Sequence, residues 1–273
     1  MNYHEVLKRS VEFASTELDE FKKTKDLSDT TNMVVSSLFR KIIELSTGVM
    51  ISASNGLAGP AQLNYRGLIE AYLAFKYIIQ VPEETNSRAI AYKISYHKEQ
   101  IKSLEDLKKN ELLDINPTYI EGAGKYHQDE LQRPDFQEVL TEHDKLHRQD
   151  NRGHIPKWYS LYGGPKTINQ LVKKLENDAS DQEKGLISTI YGALSADAHS
   201  LLTLRDIYMN SNGVICLKSV HQNFDPNSDR YNLLPVRATL TSSIKSFTTQ
   251  FFPEFEEEFI EFVSKIRGNL IKG

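Results

Sequence analysis

The sequence predicts an all-α protein, a multi-helix bundle with a polar, loop-rich insertion at about residues 114–166. Three observations carry this. Apolar residues recur at helical spacing along most of the chain. The run Val214-Ile215-Cys216-Leu217 is the one convincing strand-like stretch, too isolated to support a sheet. Helix breakers crowd into one region, with Pro117, Gly122, Gly124, Pro134, Gly153, Pro156, Gly163, Gly164 and Pro165 close together.

Taken in order, Leu7, Val11, Ala14, Leu18 and Phe21 alternate at spacings of four and three, an amphipathic helix over about 3–24. Asp29-Thr30-Thr31 supplies capping residues for a second helix that ends near Asn55-Gly56. Gly59-Pro60 opens a third, running to about Gln80, since proline suits a first helical turn. Pro82-Glu83-Glu84 opens a fourth to about Leu113, whose charged tail from Lys98 to Lys109 reads as solvated surface. Within the insertion a short helix is expected at 134–147. Thr167 caps another through Glu176, and a stronger helix spans about 182–209, stopped by Asn210-Ser211-Asn212-Gly213. Val236 to Ile266 reads as a last helix broken at Pro253. No composition shift or repeat divides the chain, so residues 1–273 read as one domain.

Composition narrows the function classes. Hydrophobic residues make up 39% and charged residues 26% of 273 positions, enough for a core and unlike disordered or collagen-like chains. Lys and Arg number 33 against 37 Asp and Glu. Without a global basic excess, any nucleic-acid contact must be a local patch. The single cysteine, Cys216, forms no internal disulfide and reads as a buried small hydrophobe. No apolar signal core follows Met1, and no apolar run approaches ~20 residues, so a cytoplasmic chain without a membrane span is expected. Phosphate-binding glycine loops and the G-x-S-x-G nucleophile elbow are missing from the sequence, and no cofactor is expected.

Two helices carry the polar residues of interest. In Tyr65-Arg66-Gly67-Leu68-Ile69-Glu70, Arg66 and Glu70 stand at i,i+4 on a stripe that turns apolar through Leu73 and Tyr77. Half-buried charges on such a stripe need partners. They read as a structural ion pair, or as a guanidinium aimed into a cleft by its carboxylate. In the later helix Tyr191, Ser195 and His199 form one i,i+4 line among small residues, which admit a close neighbour. His199 is then either a satisfied core histidine or the partner of Arg66 and Glu70. An imidazole beside a carboxylate and a guanidinium has the parts for acid–base work on a phosphodiester.

Three further patterns stand out. Arg148, Arg152, His154, Lys157 and Trp158, with Tyr159 and Lys166, make a local basic and aromatic loop. It is able to track a phosphate backbone, or it anchors the insertion through its tryptophan. His143-Asp144-Lys145-Leu146-His147 mimics a zinc helix but lacks a third ligand, and reads as exposed helix surface with no metal. Phe255, Phe259, Phe262 and Val263 face away from a row of glutamates, an amphipathic helix whose apolar side is core or a homodimer seam.

The Arg66–Glu70 segment, Trp158-Tyr159 with Gly164, the stretch Thr167-Ile168-Asn169-Gln170-Leu171, and the closing Tyr191, Ser195 and His199 resemble, in that order, a mostly bacterial family of helical proteins known only as a domain of unknown function. The resemblance covers about residues 30–210 and implies a helical fold without an assigned reaction. A more distant similarity is to the HEPN (higher eukaryotes and prokaryotes nucleotide-binding) superfamily, many of whose members are metal-independent ribonucleases of defence or toxin systems. Their motif is an arginine, four to six residues, then a histidine. Gly192, Ala193 and Leu194 occupy the arginine positions before His199, so Arg66 would have to serve from another helix. Arg148 and His154 have the spacing but lie in a polar loop. The similarity implies a HEPN-like ribonuclease of a bacterial defence or stress system acting on RNA or a nucleotide, with Arg66, Glu70, Ser195 and His199 catalytic. The alternative is a non-enzymatic sensor, scaffold or interaction module in which these residues are a polar staple.

Overall fold

Asn2 begins the first helix: its side chain accepts the Glu5 N–H at 2.8 Å, satisfying an amide that the helix itself cannot. The computed structural model describes residues 2–109, 116–149, 155–177, 186–198 and 203–271. Among these lie ten α-helices and one two-stranded hairpin, an all-α architecture as predicted. No helix among them is long and apolar enough to cross a membrane.

The first four helices follow the sequence closely: α1 at Tyr3–Thr24, α2 at Thr30–Ser54, α3 at Ala58–Ile79 and, after a 3-10 turn at Pro82–Glu84, α4 at Thr85–Lys109. Asp29 caps α2 by accepting the Asn32 N–H at 2.8 Å. The expected continuation of α4 toward Leu113 falls outside the described residues. Next comes α5, Pro117–Leu131, which the sequence reading missed. Gly122 and Gly124 argued against a helix there. Asn116, whose side chain accepts the Thr118 N–H at 2.9 Å, and proline at the first helical position outweigh them. The short helix expected at 134–147 is a 3-10 turn at Pro134–Phe136 running into α6, Gln137–Gln149. A third 3-10 segment at Trp158–Gly163 precedes α7, Ile168–Asn177, which Thr167 caps through the Gln170 N–H at 3.2 Å.

The helix expected at 182–209 is shorter. Helix α8 is Leu186–Ala198, a 3-10 turn occupies Thr203–Asp206, and Ile207–Met209 is strand β1, paired antiparallel with β2 at Ile215–Leu217. The Asn210–Gly213 stretch, read as a helix stop, is instead the hairpin turn. The Asn210 side chain accepts the N–H groups of Asn212 and Val214, and Gly213 takes the positive φ of 74° that glycine tolerates. Cys216 consequently sits half-buried in the hairpin rather than in the core. The chain closes with α9, Leu233–Phe251, and α10, Glu256–Ile271, separated at Pro253 as predicted.

The chain divides into two compact units, residues 1–27, 35–76 and 175–273 in one and 28–34 with 77–174 in the other. In the first, α1 packs along α9. Phe247 stacks on Phe39 at 4.3 Å and meets Phe21 at 4.8 Å, while Phe39 reaches Phe75 at 6.4 Å. Phe13 of α1 packs on the apolar side of α10, stacking on Phe262 at 4.3 Å and tilting against Phe259 and against Phe255 just before the helix. In the second unit Ile90, Ala91, Ile94, Phe136, Val139 and Leu161 form the core, with Leu131, Leu140 and Trp158 packed against it. Arg88 is buried here, its guanidinium 4.0 Å over the Tyr77 ring and bonded to Glu84 and the Tyr77 carbonyl. A buried cation survives because an aromatic ring lies against it and its N–H groups bond a carboxylate and a carbonyl.

Candidate functional site

On α3 the residues Gln62, Arg66 and Glu70 recur one turn apart and so share a face. Small residues bring α3 close to α2: a Cβ at Gly48 would lie 2.9 Å from the Asn64 side chain, and Gly67 faces Leu45. Tyr65, next to Arg66, points into the core, and burial pushes its phenol up to about 12. The neighbouring position thus locks α3 while Arg66 stays at the rim.

Arg66 Nε lies 3.3 Å from Glu70 Oε1, with side chains 24% and 45% exposed. The Tyr191 hydroxyl of α8 donates to the same Glu70 oxygen at 3.2 Å. The Arg66 guanidinium carbon sits 5.9 Å from the Tyr191 ring centre. Burial pushes the Tyr191 phenol up, opposed by the Arg66 guanidinium, so the group stays a neutral donor at physiological pH. One turn back on α3, Arg205 from the 3-10 turn donates to the Gln62 side-chain oxygen Oε1. Arg66 Nε is itself buried without a hydrogen-bond partner. A guanidinium has five N–H donors, so one ion-paired through Nε to a carboxylate keeps donor capacity on its other nitrogens.

The polar line expected on the later helix therefore meets Arg66 and Glu70 at Tyr191. Ser195 follows one turn along α8, half-buried. His199, expected to make this meeting, lies outside the described residues, as do Arg152 and His154. Arg148 is exposed in the last turn of α6 and Lys157 is exposed just before the Trp158 turn. Trp158 is packed: its ring meets Tyr92 at 5.1 Å and Tyr77 at 5.8 Å, edge to face. Behind it Gly164 has no alternative, because a Cβ there would fall 2.1 Å from the Tyr159 carbonyl oxygen and 2.7 Å from the Tyr77 hydroxyl.

His143 corrects the reading of 143–147 as exposed surface. It is buried, and Nδ1 meets Lys98 Nζ at 2.9 Å. Burial first, and then the Lys98 charge, hold its imidazole below the ordinary range. His147 is exposed. Among the described residues no group of three or more His, Cys, Asp or Glu side chains is placed to hold a metal. Two site residues escaped the sequence reading: Tyr191, included in the polar line but not as a site group, and Arg205, placed on a helix that does not extend so far.

The sequence profile of a family of unknown function, DUF5677, matches residues 32–213. The chain belongs to this family. The DUF5677 match spans both helices that build the Arg66–Glu70–Tyr191 cluster, and it leaves α1, α9 and α10 outside. Comparisons with curated proteins and with solved structures find no match.

Proposed function

We propose that the protein cleaves RNA phosphodiesters without a metal ion, as a HEPN-like ribonuclease, and that the Arg66 cluster holds the phosphate. The observation carrying this reading is the Arg66 guanidinium, three-quarters buried and oriented by Glu70, which lies 3.3 Å from its Nε. Such a fork matches the oxygens of a phosphodiester and stabilises the charge that grows on them as the bond breaks. In this reading the ribose 2′-hydroxyl attacks phosphorus, a base removes its proton, and an acid supplies one to the departing 5′-oxygen. His199 is the proposed proton carrier from its sequence register with Tyr191 and Ser195. Ser195 and Glu70 orient the groups, and exposed Arg148 and Lys157, with Arg152 and His154, contact the RNA backbone. A defence or stress role completes the proposal.

The test is cleavage of a labelled RNA in the presence of a chelator. Arg66→Ala and His199→Ala are each expected to lower the rate by about a hundredfold or more. His199→Ala should leave the melting temperature near that of the parent chain. Expression of the parent chain, but not of His199→Ala, should arrest bacterial growth.

A second reading has its own observation. Tyr191 already satisfies one Glu70 oxygen across the α3–α8 contact, as a structural staple would. A non-enzymatic module is then expected to show no cleavage, and Arg66→Ala to cost about 1–3 kcal/mol of stability through the partners it strands.

A further inference from the structure

Away from the Arg66 cluster, helices α4 and α5 are joined by two imidazoles. His97 and His127 are 1% and 7% exposed. Their Nδ1 atoms face each other at 2.9 Å. Tyr96 and Tyr126 flank the pair, with ring centres 5.2 Å from His97 and 5.0 Å from His127 respectively. On its far side, His97 Nε2 is 3.8 Å from Glu130 Oε2 and has no hydrogen-bond partner. That carboxylate oxygen is already taken by Lys93 Nζ at 3.1 Å, with Arg133 at 3.7 Å. Arg133 in turn forks onto Asp135.

A hydrogen bond between two imidazole nitrogens needs one donor and one acceptor. The pair therefore closes with one Nδ1 proton shared between the rings. When both rings are cationic each Nδ1 is a donor, so two donors of like charge face each other at hydrogen-bond distance. The surroundings add to that penalty. Lys93 and Arg133 are cations, and the Glu130 carboxylate that could offset a histidine charge is already paired with them. Burial first, and then the facing His127, pull the His97 imidazole down to about 4. From α6, His143 and Asp144 contact Lys98, the residue after His97. The 3-10 segment at Trp158–Gly163 meets α4 through Trp158 on Tyr92, an uncharged contact.

We propose that the His97–His127 pair is an acid-operated latch, holding α5 on α4 while it shares one Nδ1 proton and releasing α5 when both rings are charged. The sign follows from the neutral closed form. A released α5 binds more protons than a latched one, so the latch is fully closed above the ordinary imidazole range and weakens as pH falls toward about 4. The response is local, because opening exposes one helix face rather than the whole core.

The experiment is hydrogen–deuterium exchange of the full chain at about pH 7.5 and about pH 5, corrected for intrinsic rates. Peptides from α5 are expected to lose protection by about tenfold or more at the lower pH, with no such loss in α1 peptides. The double variant His97→Gln, His127→Gln retains one amide donor and one acceptor and cannot titrate, so its α5 protection should be equal at both values. Equal α5 protection in the parent chain, or an acid response retained in the double variant, overturns the latch. Should the double variant fail to fold, imidazole NMR titration of the parent chain decides. His97 titrating well below the ordinary histidine range supports the latch, and an ordinary value overturns it.

Discussion

The Tyr191 hydroxyl of α8 reaches the Glu70 carboxylate of α3 at 3.2 Å across 121 positions of sequence. One bond thereby fixes where the second motif helix stands against the first, and it holds the carboxylate that orients Arg66. Tyr191→Phe removes the hydroxyl and keeps the ring beneath the guanidinium. It is expected to cost about 1 kcal/mol, because the lost bond has an ionised acceptor but is half-exposed. A lowered urea midpoint with an unchanged slope is the expected reading. An unshifted midpoint would mean that other contacts hold α8.

Glu17 supplies a pH dependence in the α1–α9 core. Its carboxyl is buried, accepts the Thr248 hydroxyl on one oxygen, and has no partner on the other. Burial pushes it up to about 8 from 4.5. The folded chain therefore holds a proton that the unfolded chain releases, and stability from this group falls as pH rises from about 4.5 to about 8. Glu17→Gln keeps a neutral partner for Thr248 and removes the titration. Melting curves should show the variant overtaking the parent chain near the top of that window.

Gly164→Ala tests the turn behind Trp158. The added Cβ meets backbone oxygen at 2.1 Å and the Tyr77 hydroxyl at 2.7 Å. Neither atom is the free end of a flexible chain, so a loss of about 1–3 kcal/mol is expected from overpacking. Gly59→Ala is the control, with nothing within 4 Å of its new Cβ. Denaturant titration should separate the two clearly.

Asn116→Ala removes the cap of α5 and leaves the Thr118 N–H without its 2.9 Å acceptor. The expected loss is about 1 kcal/mol, concentrated in the first turns of α5. Faster exchange of those amides, with α1 unaffected, is the measurement.

Local chemistry made most elements legible. Periodicity marks α1, because an apolar residue every three or four positions buries only as a helix. Caps at Asp29 and Thr167 mark α2 and α7 because their side chains serve amides that the helix leaves open. The failures share a pattern, a single-residue signal outweighed by the element it belongs to or packs against. Ile207-Tyr208-Met209 carries the apolar content of a helix end, yet pairs with Ile215–Leu217 as a strand. Gly122 and Gly124 weaken α5, but packing on α4 holds it.

The candidate site divides in the same way. Sequence alone determined that Arg66 and Glu70 share one face of α3 and that Tyr191 and Ser195 share one face of α8, since helical pitch sets both. It also determined the helical class and the break at Pro253, where the ring of proline cannot continue a helix. Only the tertiary structure decided that Tyr191 is the residue that meets Glu70, that Arg66 Nε is buried, and that His97 faces His127. Those facts depend on how the helices rotate and approach as whole packed surfaces. That choice is made by core residues such as Tyr65, which the polar residues follow rather than direct.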